Sequence, residues 1–399
     1  MEPGVAAMLR DASLAAWDSL VELALARRVD FVVLAGDIYD GEQRGVRAQL
    51  RLMRGLERLS AAGVVTFIVH GNHDPLGGYS AIRRWPARVH IFGSESVERV
   101  AVERDGQDVA AVYGISYDRP AVRDNLADRF RREGGGLHVG VLHCSVGGSG
   151  EHDAYSPCEL ADLERAGMDY WALGHVHKHT VLPTSGCVAV YSGNTQGRSL
   201  KPSECGPKGV VIVEADEGGA VRSVEHVAID AARFVHEELD VSDAADVAAL
   251  RATVLERLTA LRAEHAGRAL VVRATLVGAG PVHADLARPG AAEDLLAELR
   301  RECEVETPVL YVESVQDRTR ALLELDRIAE RGDFAADVLA QARALSRDPE
   351  RLNALLGSHG ADLRRIPARW TRDLPPVDAQ TILDQATWLA VEMLMQDGL

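Results

Sequence analysis

Residues 31–40 read FVVLAGDIYD: an apolar run stops at Gly36 and two carboxylates, Asp37 and Asp40, follow at once. Gly and Asp are default turn formers, so this stretch alone is ordinary. Four other stretches share its build. IVHGNHDP sets Asn72, His73 and Asp74 behind an apolar run, and VGVLHCSV ends one on His143. YWALGHVHKH places His175 and His177 behind another, and YSGNTQGRSL, with Gln196 and Arg198, follows the next. Polar clusters that cap strands on one edge of a sheet converge in space. A site built there holds a carboxylate, an amide oxygen and three imidazoles. That mixture of hard oxygen and borderline nitrogen donors suits Mn, Fe or Zn and poorly suits Ca or Mg.

The elements that position these residues alternate. SLAAWDSLVELALARRV (13–29) carries Leu14, Trp17, Leu20, Val21, Ala24 and Leu25 on one helical stripe, and DFVVLAG follows as a buried strand. A helix over 46–61 and a strand over 64–70 repeat the cycle. Further strands are expected near 89–92, 110–115, 138–143, 170–173, 188–191 and 209–214, the last folding back as a hairpin at Gly218-Gly219. This order predicts a layered α/β fold. The hairpin closes a first domain over 1–230. A small α+β domain over 231–317 is expected next, with a helical stripe at Val247, Leu250, Val254, Leu258 and Leu261. Residues 318–356 read as helical throughout. After a Gly/Pro-punctuated connector, GSHGADLRRIPARWTRDLPP, the region 318–399 ends in a helix over 378–395. Ile382, Leu383, Ala386, Leu389, Ala390, Met393 and Leu394 share one face of it, read first as packing, with a partner-binding helix as the alternative.

The 399 residues carry a formal net charge of −16, and both halves are acidic, which does not advertise broad nucleic-acid affinity. A phosphate-bearing substrate would need cations or a local Arg to offset that field. The five cysteines form no C-x-x-C pair, which favours a reducing compartment over a disulfide scaffold. No signal peptide and no membrane-length apolar run is evident, so a soluble, cytoplasmic protein is expected.

The order G-D-x-x-D, G-N-H-D, H, G-H-x-H resembles the calcineurin-like metallophosphoesterases. VLHCSVGGSGEHDAYSPCELADLERAGMDYWALGHVHK and YSGNTQGRSLKPSECGPKG look like the bacterial DNA repair exonuclease branch of that family, the YhaO-like and SbcD-like nuclease subunits. The resemblance implies an α/β/β/α sandwich, a small α+β capping domain and a helical C-terminal region. It implies two divalent metal ions, Mn²⁺ by preference, with Asp37 bridging them. Asn72, His143 and His175 would complete one metal and His177 would ligate the other. His73 would stand outside the metals, stabilising the transition state or protonating the leaving oxygen, with Asp40 and Asp74 orienting their neighbours. Two such cations generate a nucleophile and neutralise charge on the phosphoryl oxygens.

The branch also implies DNA as substrate, a coiled-coil ATPase partner of the SbcC type and dimerisation through phosphoesterase-domain helices. Arg198 and Gln196 lie in a loop that borders the family's site, and His152 in a Gly-rich loop is a third candidate for substrate contact; each is also readable as an ordinary turn or surface residue. One motif is missing. The family pattern opens with D-x-H at the end of a first strand, and no D-x-H precedes Asp37 here. Either the true start lies upstream by roughly 15–25 residues, a strand and its loop, or the first metal has been lost. The first is favoured because the other motifs are intact. Two rival functions are a phosphoesterase for a small nucleotide and a scaffold with a half-built metal site.

Overall fold

A computed structural model of the chain describes residues 3–41, 45–78, 82, 84–104, 106–147, 155–216, 218–303, 307–363 and 378–396. His152 and most of the expected connector lie outside the described residues. Two compact units divide the chain. The first comprises Met1–His236, Arg262–Arg273 and Glu302–Glu313; the second comprises Glu237–Leu261, Ala274–Arg301 and Ser314–Leu399.

The first unit opens with α1 (Pro3–Arg27), β1 (Phe31–Ala35), α2 (Val46–Ala61), β2 (Val65–Val69) and β3 (Val89–Ile91). Strands β1, β2 and β3 form a parallel sheet in that order. Among the described residues β1 has a strand partner on one edge alone. Then come β4 (Glu98–Arg104), β5 (Gln107–Gly114), β6 (Leu137–His143), α3 (Leu160–Arg165), β7 (Tyr170–Gly174), β8 (Thr180–Leu182) and β9 (Val188–Tyr191). These strands make a six-stranded sheet, β4-β5-β6-β7-β9-β8, whose central members β5, β6, β7 and β9 run parallel. A hairpin, β10 (Gly209–Ala215) and β11 (Val221–Ala228), follows.

Side chains on a strand alternate between faces, and the cores follow that period. Phe31, Val33 and Ala35 of β1 join Phe67, Val69, Val139, Val141, Tyr170 and Val190 in a core between the sheets. Val32 faces the other way, onto Leu20, Val21 and Ala24 of α1. On the far face of the large sheet Leu142, Trp171 and Leu173 pack against Phe130 and Leu163. Helices therefore cover both outer faces, and the expected α/β/β/α layering is present. Strands β4 and β8 were not evident in the sequence. Both are antiparallel edge strands whose main-chain pairing, rather than an apolar run, defines them.

Three long strands, β12 (Ala232–Asp240), β13 (Ala269–Ala279) and β14 (Leu310–Arg320), form a separate sheet. Helices α4 (Val247–Glu264), α5 (His283–Leu286) and α6 (Ala291–Cys303) lie between them in sequence. On α4, Leu250, Val254, Leu258 and Leu261 are buried, whereas Val247 is exposed. Helices α7 (Leu325–Ala329), α8 (Phe334–Ser346), α9 (Pro349–Leu363) and α10 (Ala379–Gln396) complete the chain. The expectation of helix throughout 318–356 is corrected at its start: Arg318–Arg320 continue β14, because pairing within the sheet carries a polar tail that propensity alone reads as helix. The α10 stripe is split. Leu394 joins Val391 against Ile328 and Leu339, Leu383, Ala386 and Ala390 line a shallow groove with Phe334 and Val338 of α8, and Leu389 and Met393 are exposed.

Helices α1 and α2 meet at Gly55. The Trp17 ring lies where a Cβ would sit, so that a Cβ built on Gly55 would come within 2.7 Å of three ring atoms, and the indole N–H donates to the Arg51 carbonyl at 3.2 Å. Alanine would gain about 1 kcal/mol of helix propensity, but overpacking against a rigid ring costs roughly 1–3 kcal/mol. Gly55→Ala is expected to lower the urea midpoint with an unchanged slope; an unchanged or raised midpoint would contradict the close approach.

Candidate metal centre

The chemistry-bearing residues stand at the ends of four parallel strands. Asp37 follows β1 after Gly36, Asn72 follows β2 after Gly71, His143 ends β6, and His175 follows β7 after Gly174. Because β1 packs against β6 and β7, these ends meet. Donor atoms of Asp37, His143 and His175 all lie within 4.8 Å of one another. The His143 Nε2 is 2.9 Å from Asn72 Oδ1 and 3.3 Å from Asp37 Oδ2.

Backbone geometry turns these side chains inward. Gly36 and Asp37 adopt φ of 88° and 52°, and His175 adopts 96°. Two non-glycine residues in the left-handed region are a strain that persists where the surroundings over-determine it, often at functional sites. Glycines also make room. A Cβ on Gly36 would lie 2.5 Å from His143 Nδ1, one on Gly174 would run into the Ala35 carbonyl, and one on Gly71 would press into Asp37 Oδ1.

Hydrogen bonds fix the ring of His143. Its Nδ1 faces the Ala35 carbonyl at 2.9 Å, and a carbonyl only accepts, so Nδ1 carries the proton. Nε2 then points its lone pair at two acceptor oxygens. Three acceptors this close repel unless a cation or a proton lies among them. Ligand atoms ~2.1 Å from a shared ion and at right angles stand about 3 Å apart, which is the spacing present. The residues therefore fit a divalent cation, which Asp37, Asn72 and His143 would hold at this spacing with His175 within 4.8 Å of the Asp37 and His143 donors. Tyr155 sits edge-on to His175 at 5.3 Å, and the Tyr117 hydroxyl donates to the His143 carbonyl. Burial pushes the Asp37 carboxyl upward; with a proton on His143 Nε2 in place of a cation, the hydrogen bond and charge of that imidazole and the His73 N–H outweigh it and hold the carboxyl below its ordinary value.

Asp74, fully buried, accepts from the backbone N–H groups of Asp37 at 3.1 Å, Ile38 at 3.0 Å and Gly71 at 2.8 Å. It ties the two site loops together. The half-exposed His73 donates its backbone N–H to Asp37 Oδ1 at 2.9 Å, and its Nδ1 stands 3.2 Å from Asp40 Oδ1. Asp40 also pairs with the Arg198 guanidinium, so Arg198 is at the rim of the site. His177 lies outside the close trio of Asp37, His143 and His175. Its Nδ1 pairs with Glu204, whose carboxylate also accepts from Asn194 Nδ2 at 2.8 Å and the Arg198 N–H at 3.0 Å. Burial raises the Glu204 carboxyl, but His177 and these donors bring it down to about 2.

Gln196 is placed differently from a substrate contact. It is buried, its carbonyl Oε1 accepts from the Ala231 and Ala232 N–H groups, and its Nε2 donates to the Gly197 and Ala232 carbonyls. All four hydrogen-bonding capacities of the amide are used on backbone, leaving none for a phosphate. Glu204 and Lys208 were missed by sequence reasoning. Both lie within YSGNTQGRSLKPSECGPKG, but in a loop with no period to mark them.

Gly71 does not adopt a positive φ, so alanine there meets no backbone penalty and the added methyl falls on Asp37 and His143. Gly71→Ala is expected to weaken Mn²⁺ binding by about tenfold or more while the circular dichroism spectrum is unchanged. Binding equal to wild type by calorimetry would contradict this ligand set.

The calcineurin-like phosphoesterase family matches residues 10–179, and the middle domain of metallophosphoesterase YhaO matches residues 234–320. The metallophosphoesterase YhaO of Bacillus subtilis is 34% identical over 314 residues, 78% of this chain and 76% of the relative. The DNA double-strand break repair protein Mre11 of Thermoplasma acidophilum is 28% identical over 56% of this chain and 63% of its own length. The SbcD component of the SbcCD nuclease of Bacillus subtilis is 25% identical over 50% of this chain and 60% of its own length. The chain belongs to the calcineurin-like metallophosphoesterase family, with its likeness extending through the YhaO middle domain.

Proposed function

We propose that this metallophosphoesterase is a Mn²⁺-dependent phosphodiesterase that degrades DNA from its ends, a cytoplasmic repair exonuclease working with a coiled-coil ATPase partner. The observation that carries the reading is the convergence of Asp37 Oδ2, Asn72 Oδ1 and His143 Nε2 on one point at the strand ends. Likeness to a double-strand break repair protein and to a nuclease component supports DNA as the substrate and the ATPase as the partner. No helix among the described residues is long and apolar enough to cross a membrane.

In this reading Asp37 would help to hold both of two cations. Asn72, His143 and His175 would hold one with it, and His177 would serve the other. When bound, the pair supplies Lewis-acid neutralisation of the phosphoryl oxygens and a water acidified enough to attack. The rest falls to the chain. The imidazole of His73, held by Asp40, gives a proton to the departing sugar oxygen, and its position beside Asp37 keeps it within reach of the reacting phosphate. Arg198 offers a guanidinium at this rim for a flanking phosphate, exchanging Asp40 for substrate oxygen. In an acidic protein such a local cation is what brings a polyanion to the site.

Two measurements test the reading. With Mn²⁺, linear duplex DNA is expected to be shortened from its ends; hydrolysis of a cyclic nucleotide with intact DNA would replace DNA by a small substrate. His73→Ala is expected to lower kcat by about 10²–10⁴ while calorimetric Mn²⁺ binding stays at the wild-type value. Undiminished biological function in that variant would favour the scaffold role.

A further inference from the structure

Glu204 sits at the end of a short 3₁₀ turn, Pro202–Glu204, and is 5% exposed. Burying a carboxylate is a costly way to hold a turn, since an amide oxygen would meet the Arg198 backbone N–H at lower desolvation cost. Its partners show a more specific use. One oxygen takes the His177 Nδ1, and the other takes Asn194 Nδ2 and the Arg198 N–H. The His177 main chain is gripped as well: its carbonyl accepts from the Asn194 N–H at 3.2 Å and from Lys208 Nζ at 3.1 Å. Lys208 is itself buried and donates also to the Ser203 carbonyl, so a cation and an anion close over the same histidine from one loop. Gly193, with φ of 77°, allows the loop to press this close, since a Cβ there would lie 2.9 Å from the His177 carbonyl oxygen.

We infer that Glu204 is the positioning residue of His177: it holds the ring with the proton on Nδ1, presents Nε2 to a divalent cation, and anchors the loop that carries Arg198. This rests on the reading of His177 as a ligand. The two histidines then differ in their backing. His143 leans on a neutral carbonyl, whereas His177 leans on a carboxylate, which raises ligand basicity more. Because the Arg198 N–H is bound to the same carboxylate, one side chain sets both a ligand and the rim arginine that pairs with Asp40.

The test is Mn²⁺ calorimetry on the full chain as wild type, Glu204→Gln, His177→Ala and the double variant. Glu204→Gln is expected to weaken the affected site by about 10–100-fold, and the double variant to bind no worse than His177→Ala alone. Unchanged binding in Glu204→Gln beside weakened binding in His177→Ala would overturn the inference and leave the phosphoesterase reading standing. Unchanged binding in both would remove His177 from the ligands and the inference with it. A second readout needs no variant to fold: nitrogen-15 spectra of metal-free wild type are expected to show His177 as the Nδ1–H tautomer. An Nε2–H tautomer would overturn the inference.

Discussion

The buried carboxylate of Asp74 is the interaction on which the site depends. It accepts three backbone N–H groups, two from the loop after β1 and one from the loop after β2. Without it, the part-buried N–H groups of Asp37 and Ile38 and the buried N–H of Gly71 would lose their acceptor, the buried one at a cost of about 1–3 kcal/mol. The left-handed backbone at Gly36 and Asp37 is held in place by this bond set. Asp37 can therefore spend both of its own oxygens on the site, one on the His73 N–H and one facing the imidazole of His143.

The two-sheet architecture supplies the rest. A single parallel sheet brings neighbouring strand ends together in a row. Packing β1 and β2 face to face on β6 and β7 brings them together from opposite sides, so that oxygens from one sheet meet imidazoles from the other. Glycine at each crossing is the steric condition for this meeting. The His143 ring fills the space that a Cβ on Gly36, Gly71 or Gly174 would take. At the rim of the site the Arg198 guanidinium pairs with Asp40.

Much of this was legible in the sequence because strand ends announce themselves. An apolar run followed by Gly and then Asp, Asn or His gives both the strand and the turn, and β1, β2, β6, β7 and β9 fall where the runs predict. What was not legible depends on partners distant in sequence. Gln196 reads as a polar turn residue, yet the backbone at Gly197, Ala231 and Ala232 claims its whole amide. Glu204 follows Pro202 and Ser203 in an aperiodic loop, and its importance lies in meeting His177, 27 positions earlier. The positive φ values of Asp37 and His175 could not be read from residue type, because Asp and His adopt them more often than most side chains yet still in a small minority of positions. Edge strands β4 and β8 were hidden for the same reason, since they are defined by pairing and not by burial.

The central claim is that the strand-end donors form a cation site. Anomalous diffraction from crystals of the full chain soaked in Mn²⁺, collected near the manganese edge, tests it most directly. The account predicts a strong peak about 2.0–2.4 Å from Asp37 Oδ2, Asn72 Oδ1, His143 Nε2 and a ring nitrogen of His175. A peak elsewhere, with those atoms unligated, would contradict it.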